Sequence, residues 1–149
     1  MATDYWPQEE GAVFDAHSYI IPCYPDGAIS EMSSVKPGTT VAGRVSVIVS
    51  AALGDGIGIA LRASTGAGAP ARIPVLFYGA CKVTFTAAAT AMGEFCMNNT
   101  TTTFTAGADL GTFVYANLVA GGGASYVMGM LLQGTDASGE GIILVGKTA

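Results

Sequence analysis

The chain has 149 residues, enough for one domain with a real core, and only 11% of them are charged, against about 25% in an ordinary soluble protein. The net charge of −5 comes from eleven carboxylates against six scattered basic residues (Lys36, Arg44, Arg62, Arg72, Lys82 and Lys147), which leaves no basic stripe for phosphate and argues against direct nucleic-acid binding. No apolar run approaches the length of a membrane helix, and the first residues show neither the basic start nor the apolar stretch of a signal peptide.

Residues 1–31 differ from the rest. They hold the only Trp, the only His and several Tyr and Pro, and the prolines are expected to deny a regular helix or a central strand. This stretch reads as an extended N-terminal arm whose aromatic residues Tyr5, Trp6, Phe14, Tyr19 and Tyr24 need shelter. They find it by wrapping over their own domain or by anchoring on a neighbour.

Residues 32–149 read as a β domain. Strand-like runs appear at "RVSVIVSAAL" (Arg44 to Leu53), "IPVLFYGACKVTFTA" (Ile73 to Ala87), "EFCMN" (Glu94 to Asn98), "GTFVYANLV" (Gly111 to Val119), "YVMGMLLQ" (Tyr126 to Gln133) and "GIILVG" (Gly141 to Gly146). Glycine-rich or polar turn signals separate them, among them "KPG", "GDG", "GAGAP", "NNTTTT" and "DASGEG". "NNTTTTFTAG" reads as a polar hairpin tip, and "FTAAATAMGEF" reads as strand and turn in spite of its alanines. The expected fold is all-β, a compact sandwich or small barrel of short antiparallel strands.

The pattern also repeats. "GIALRASTGAGAPARIPVLFYG" (Gly58 to Gly79) and "GMLLQGTDASGEGIILVG" (Gly129 to Gly146) share a glycine, an apolar run, a small-residue loop, a second apolar run and a closing glycine. Extended upstream, Val35 to Val49 aligns with Phe85 to Asn99, with Gly43 over Gly93. The repeat units are 35–79 and 85–146, and two similar lobes sharing one core are expected.

Reactive side chains are sparse. His17 sits on the arm, and one His with Cys23, Cys81 and Cys96 dispersed has no zinc spacing. The glycines of "GDGIGIAL" open no helix, and "STGAGAPAR" lacks the Lys-Ser/Thr of a phosphate loop. Asp136 and Glu140 flank a small loop but lack the further oxygens of a calcium site. No catalytic residue, metal or cofactor is therefore expected, and the odd, unspaced cysteines suit a protein made in a reducing cytoplasm. So little surface charge suits a chain covered by its neighbours, a homo-oligomer or part of a larger assembly.

Over residues 57–149, "IPVLFYGACKVTFTAAATAMGEFCMNNTTTTFTAG" and "YVMGMLLQGTDASGEGIILVG" resemble the small capsid decoration, or cement, proteins of tailed bacterial viruses. The likeness lies in a strand closing on Gly79, an alanine-rich segment with Gly93 before the next strand, the run from Gly129 to Leu132, and the ending "GEGIILV". It implies a nonenzymatic virion protein that binds the outside of an assembled capsid lattice, often as a trimer, and strengthens it. A virion fibre or receptor-binding module, and a small self-assembling shell or tail-tube subunit, are the alternative readings.

Overall fold

In the computed structural model the described residues are 18–39, 43–51, 55–88, 93–107 and 128–146. They carry eleven strands: β1 (Tyr19–Pro25), β2 (Ala28–Ile29), β3 (Ser34–Pro37), β4 (Ser46–Val49), β5 (Gly58–Ala60), β6 (Ser64–Thr65), β7 (Ile73–Phe85), β8 (Phe95–Asn98), β9 (Thr103–Gly107), β10 (Gly129–Gln133) and β11 (Glu140–Val145). The fold is all-β.

Nine strands form one sheet in the order β1-β4-β3-β5-β7-β11-β10-β8-β9, and β1 and β9 each pair back onto β7. The sheet is therefore two closed rings that share β7. Its first half joins β1, β4, β3 and β5, and its second half joins β11, β10, β8 and β9. Only a strand of 13 residues is long enough to serve both. β2 and β6 form a separate ribbon.

The two rings match strand for strand: β1, β3, β4, β5 and the first half of β7 correspond to the second half of β7, β8, β9, β10 and β11. The registers agree as well. Val35 faces Gly58 where Cys96 faces Gly129, and Val35 faces Val49 where Cys96 faces Ala106. Pro25 faces Val47 where Phe85 faces Phe104, and Ile21 faces Val75 where Cys81 faces Ile143. Ile59 faces Leu76 where Met130 faces Leu144, so the correspondence closes around the whole ring. Backbone bonds outside the ladders repeat too: Met32 N–H donates to Ala60 O as Gly93 N–H donates to Leu131 O, and Asp26 N–H donates to Val47 O as Thr86 N–H donates to Phe104 O.

Side chains follow the backbone. Cys23, Val35, Val47, Ala60 and Val75 fill the first ring, and Val83, Cys96, Phe104, Leu131 and Ile143 take the same places in the second. Ile59 and Leu76 belong to the first ring's strands but pack into the second ring's core, so the lobes are held together by apolar burial. A buried polar seam adds to this: Asn98 Oδ1 accepts from Gly56 N–H at 2.8 Å, its Nδ2 donates to Ser50 Oγ at 3.2 Å, and Ser34 N–H donates to Thr101 O at 2.7 Å.

Three expectations need correction. First, within the stretch expected as an arm over 1–31, Tyr19–Pro25 is strand β1 of the nine-stranded sheet, between β4 and β7, and Ala28–Ile29 is strand β2 of the separate ribbon with β6. Prolines are tolerated there because of where their missing N–H would point. Tyr24 and Asp26 donate toward β4, so Pro22 would face the same side, upstream of the first β4 pair at Tyr24. Pro25 would face β7 beyond the last pair, Cys23 with Ile73. Second, the strands are not all antiparallel, since β1–β4 and β7–β9 run parallel. Third, β4 corresponds to β9 rather than to β8, so Gly43 does not stand over Gly93. Met32, at φ 59° the one non-glycine with positive φ among the described residues, takes the place that Gly93 holds at φ 90°. "TFTAG", read as part of a hairpin tip, is strand β9, and the tip is the short turn before it. The strand expected at Gly111 to Val119 lies outside the described residues.

Candidate docking face

β1 alternates. Ile21, Cys23 and Pro25 turn inward, while Ile20, Pro22 and Tyr24 turn out. Its outward face is unusually apolar. All four of the large hydrophobic side chains exposed among the described residues lie on this face or at its rim: Tyr19 at 65% exposure, Val45 at 52%, and Ile20 and Tyr78 at 42%. Tyr19 sits at a register shift in β1 and pairs directly with Tyr78 on β7, which sets two exposed phenol rings side by side.

Toward the other end of β1 the face becomes a groove of about 320 Å³ between Pro22 and Tyr24, residues 43–45 leading into β4, and residues 71–72 leading into β7. The guanidinium of Arg44 stands 5.1 Å from the centre of the Tyr24 ring, a cation–π contact that holds the ring and one wall together. Arg72 lines the facing wall. Among the described residues neither arginine has a carboxylate partner, whereas Lys36 pairs with Asp55, and Lys82 with Asp136 and Glu140. The face thus joins aromatic and aliphatic surface to two arginines without a carboxylate partner among the described residues, and such a surface recognises apolar and acidic groups.

Asp136 and Asp26 serve the fold. Asp136 accepts from Ser138 N–H and Glu140 N–H, and these bonds, the one from Glu140 foremost, hold its carboxyl below the ordinary value. It organises the β10–β11 turn. Asp26 accepts from Thr39 N–H at 2.8 Å, and hydrogen bonding from the Thr39 side chain first, then from its backbone, holds the carboxyl below the ordinary value. All three cysteines are free and buried, and burial pushes Cys23 up to about 11 and Cys81 and Cys96 up to about 12. Such thiols are protonated and poor nucleophiles at neutral pH. Among the described residues no group of three or more His, Cys, Asp and Glu is placed to hold a metal ion.

Of the expected anchor residues, Tyr19 and Tyr24 fall on this one face, though on a strand rather than an arm. Tyr5, Trp6 and Phe14, with His17, lie outside the described residues. Ile20, Val45, Tyr78, Arg44 and Arg72 were not singled out from the sequence. The alternation in "YIIPCYP" carried part of the signal, but the meeting of β4, β1 and β7 that gathers the rest is set by pairings distant in sequence.

No protein-family model matches the sequence, and no curated protein is similar to it.

Proposed function

We propose that this chain is a nonenzymatic structural protein of a virion, which binds the outer surface of an assembled capsid and stabilises it. The observation that carries the reading is the single outward face of β1, where every large exposed hydrophobic side chain of the described residues collects beside an arginine-lined groove. A patch of this kind on a surface otherwise poor in charge is suited to burial against a partner. Tyrosine and arginine are the residue types that dominate binding energy at interface centres. The partners in this reading are the major capsid protein lattice and neighbouring copies of the chain, in a homo-oligomer such as a trimer. Oligomers gain from multivalency, since modest contacts repeated over a lattice add to tight retention. Three buried, unpaired thiols accord with synthesis in a host cytoplasm, and in this reading the chain then resides on the capsid exterior.

The test is occupancy of purified shells stripped of this chain. Wild-type chain should rebind, and Tyr19→Ser with Tyr78→Ser should bind about tenfold more weakly or worse, as for the loss of interface anchors. Undiminished rebinding by that variant would remove the face from the account. Self-assembly of the pure chain into tubes or shells would favour the tail-tube or shell subunit, and binding to cell-surface glycans would favour the fibre module.

A further inference from the structure

We infer that the docking face takes from its partner an extended acidic peptide segment, with a carboxylate seated at Arg44 and Arg72 and an apolar side chain four residues away resting on Ile20. The inference rests on the reading of this face as a docking surface and names what that surface holds. Charge gives the first reason. Both described lysines pair with carboxylates, whereas Arg44 and Arg72 have none among the described residues, and no Asp or Glu among them lines the groove. A guanidinium presents its N–H donors as a planar fork that matches a carboxylate with two parallel bonds. The contact of Arg44 with the Tyr24 ring steadies one such fork through the face of the ring and occupies no carboxylate, so an incoming acid meets a donor already held in place.

Spacing gives the second. Ile20, Pro22 and Tyr24 share the outward face of β1, and at about 3.3 Å per residue Ile20 lies roughly 13 Å from Tyr24. The groove lies at the Tyr24 end and the exposed Tyr19 and Tyr78 rings stand at the other, so an occupant that meets both is a chain molecule rather than a single ion. An extended peptide has the same rise, and its residues i and i+4 project to one side. A carboxylate and an apolar side chain four positions apart, in either order, therefore reach the arginines and Ile20 together. Between those two points the surface is aliphatic, formed by Pro22 and Val45, and it would leave the hydroxyl groups of a saccharide unpaired. β1 already has β4 and β7 as neighbours, so the segment lies over the face and is held by side chains rather than by a ladder.

The spacing also reports the partner's conformation. At about 1.5 Å per residue a helix brings i and i+4 within roughly 6 Å of each other, and it would need the acid and the apolar residue seven or eight positions apart to span this face.

The experiment selects a displayed library of random linear dodecapeptides on the full chain. Enriched peptides should carry Asp or Glu four positions from Leu, Ile, Phe or Tyr. The strongest of them, made synthetically, should bind about tenfold more weakly or worse when its acid is replaced by the amide, and when the chain carries Arg44→Glu/Arg72→Glu, as for the loss of a charge-assisted pair. Arg72→Gln, which leaves the Arg44 contact with Tyr24 in place, guards against a misfolded double variant and should weaken binding about fivefold. Arg62→Glu, a charge reversal at an exposed residue that does not line the groove, should change affinity by less than about twofold. No enrichment of acids, equal affinity for the amide peptide, or binding indifferent to the groove variants would overturn the inference. So would enrichment at a spacing of seven or eight, or capture of an acidic polysaccharide where no peptide is retained. Any of these results with shell binding still lost in the Tyr19→Ser/Tyr78→Ser chain would leave the docking reading intact, whereas shell binding retained by that variant removes the docking reading itself.

Discussion

Glycines at matched positions separate two kinds of constraint. A Cβ on Gly129 would stand 2.1 Å from Leu144 O, and one on Gly58 would stand 3.0 Å from Leu76 O, the corresponding carbonyl of the other ring. Backbone cannot move aside as a flexible side chain does. Gly129→Ala should therefore cost about 3 kcal/mol in denaturant unfolding and Gly58→Ala about 1 kcal/mol. Gly93 has open space where its Cβ would be but sits at φ 90°, so Gly93→Ala should cost about 1 kcal/mol through conformation alone. Equal costs at all three positions would contradict these assignments. The thiols provide a second check at this scale. None of the three should react with a thiol reagent at pH 8 in the folded chain during the time in which all three react in denaturant.

Among the elements, the β10–β11 turn carries a pH signature. The Asp136 carboxyl is held below its ordinary value of 3.8 by backbone donors and by Lys82. Its contribution to stability is complete above that unfolded-state value and is lost as pH falls through the lower folded-state value. The unfolding midpoint should therefore drop on acidification below about pH 4, and less steeply in Asp136→Asn, which keeps the acceptor but cannot titrate. Identical acid profiles would remove Asp136 from that role. The strands built from strong local pattern were legible in the sequence: β7, β8 and β10 fall inside runs rich in β-branched, aromatic and other apolar residues, and β11 overlaps the run Gly141 to Gly146, beginning one residue before it. β1 was not legible, because Pro22 and Pro25 speak against a central strand until the ladder ends beside them are known. Nor was β9, whose threonines resemble the turn they follow. The matched starts at Gly58 and Gly129 could be read from sequence. The pairing of β4 with β9 could not, because short strands of similar composition align equally well in more than one register.

For the molecule as a whole, closing each ring removes exposed sheet edges, which otherwise invite nonspecific pairing. Among the described residues, that leaves the outward face of β1 as the apolar surface on which association can be built. Sequence composition indicated that the chain should be covered by neighbours. It did not indicate where, since Tyr19, Val45 and Tyr78 stand on three different stretches of chain and meet only through the β1–β4 and β1–β7 pairings. The most direct test is a density map of the native particle at side-chain resolution. The account predicts this chain on the outside of the shell, with Tyr19, Ile20 and Tyr78 buried against a neighbouring subunit. Density elsewhere in the particle, or a shell-bound chain with that face turned to solvent, would contradict it.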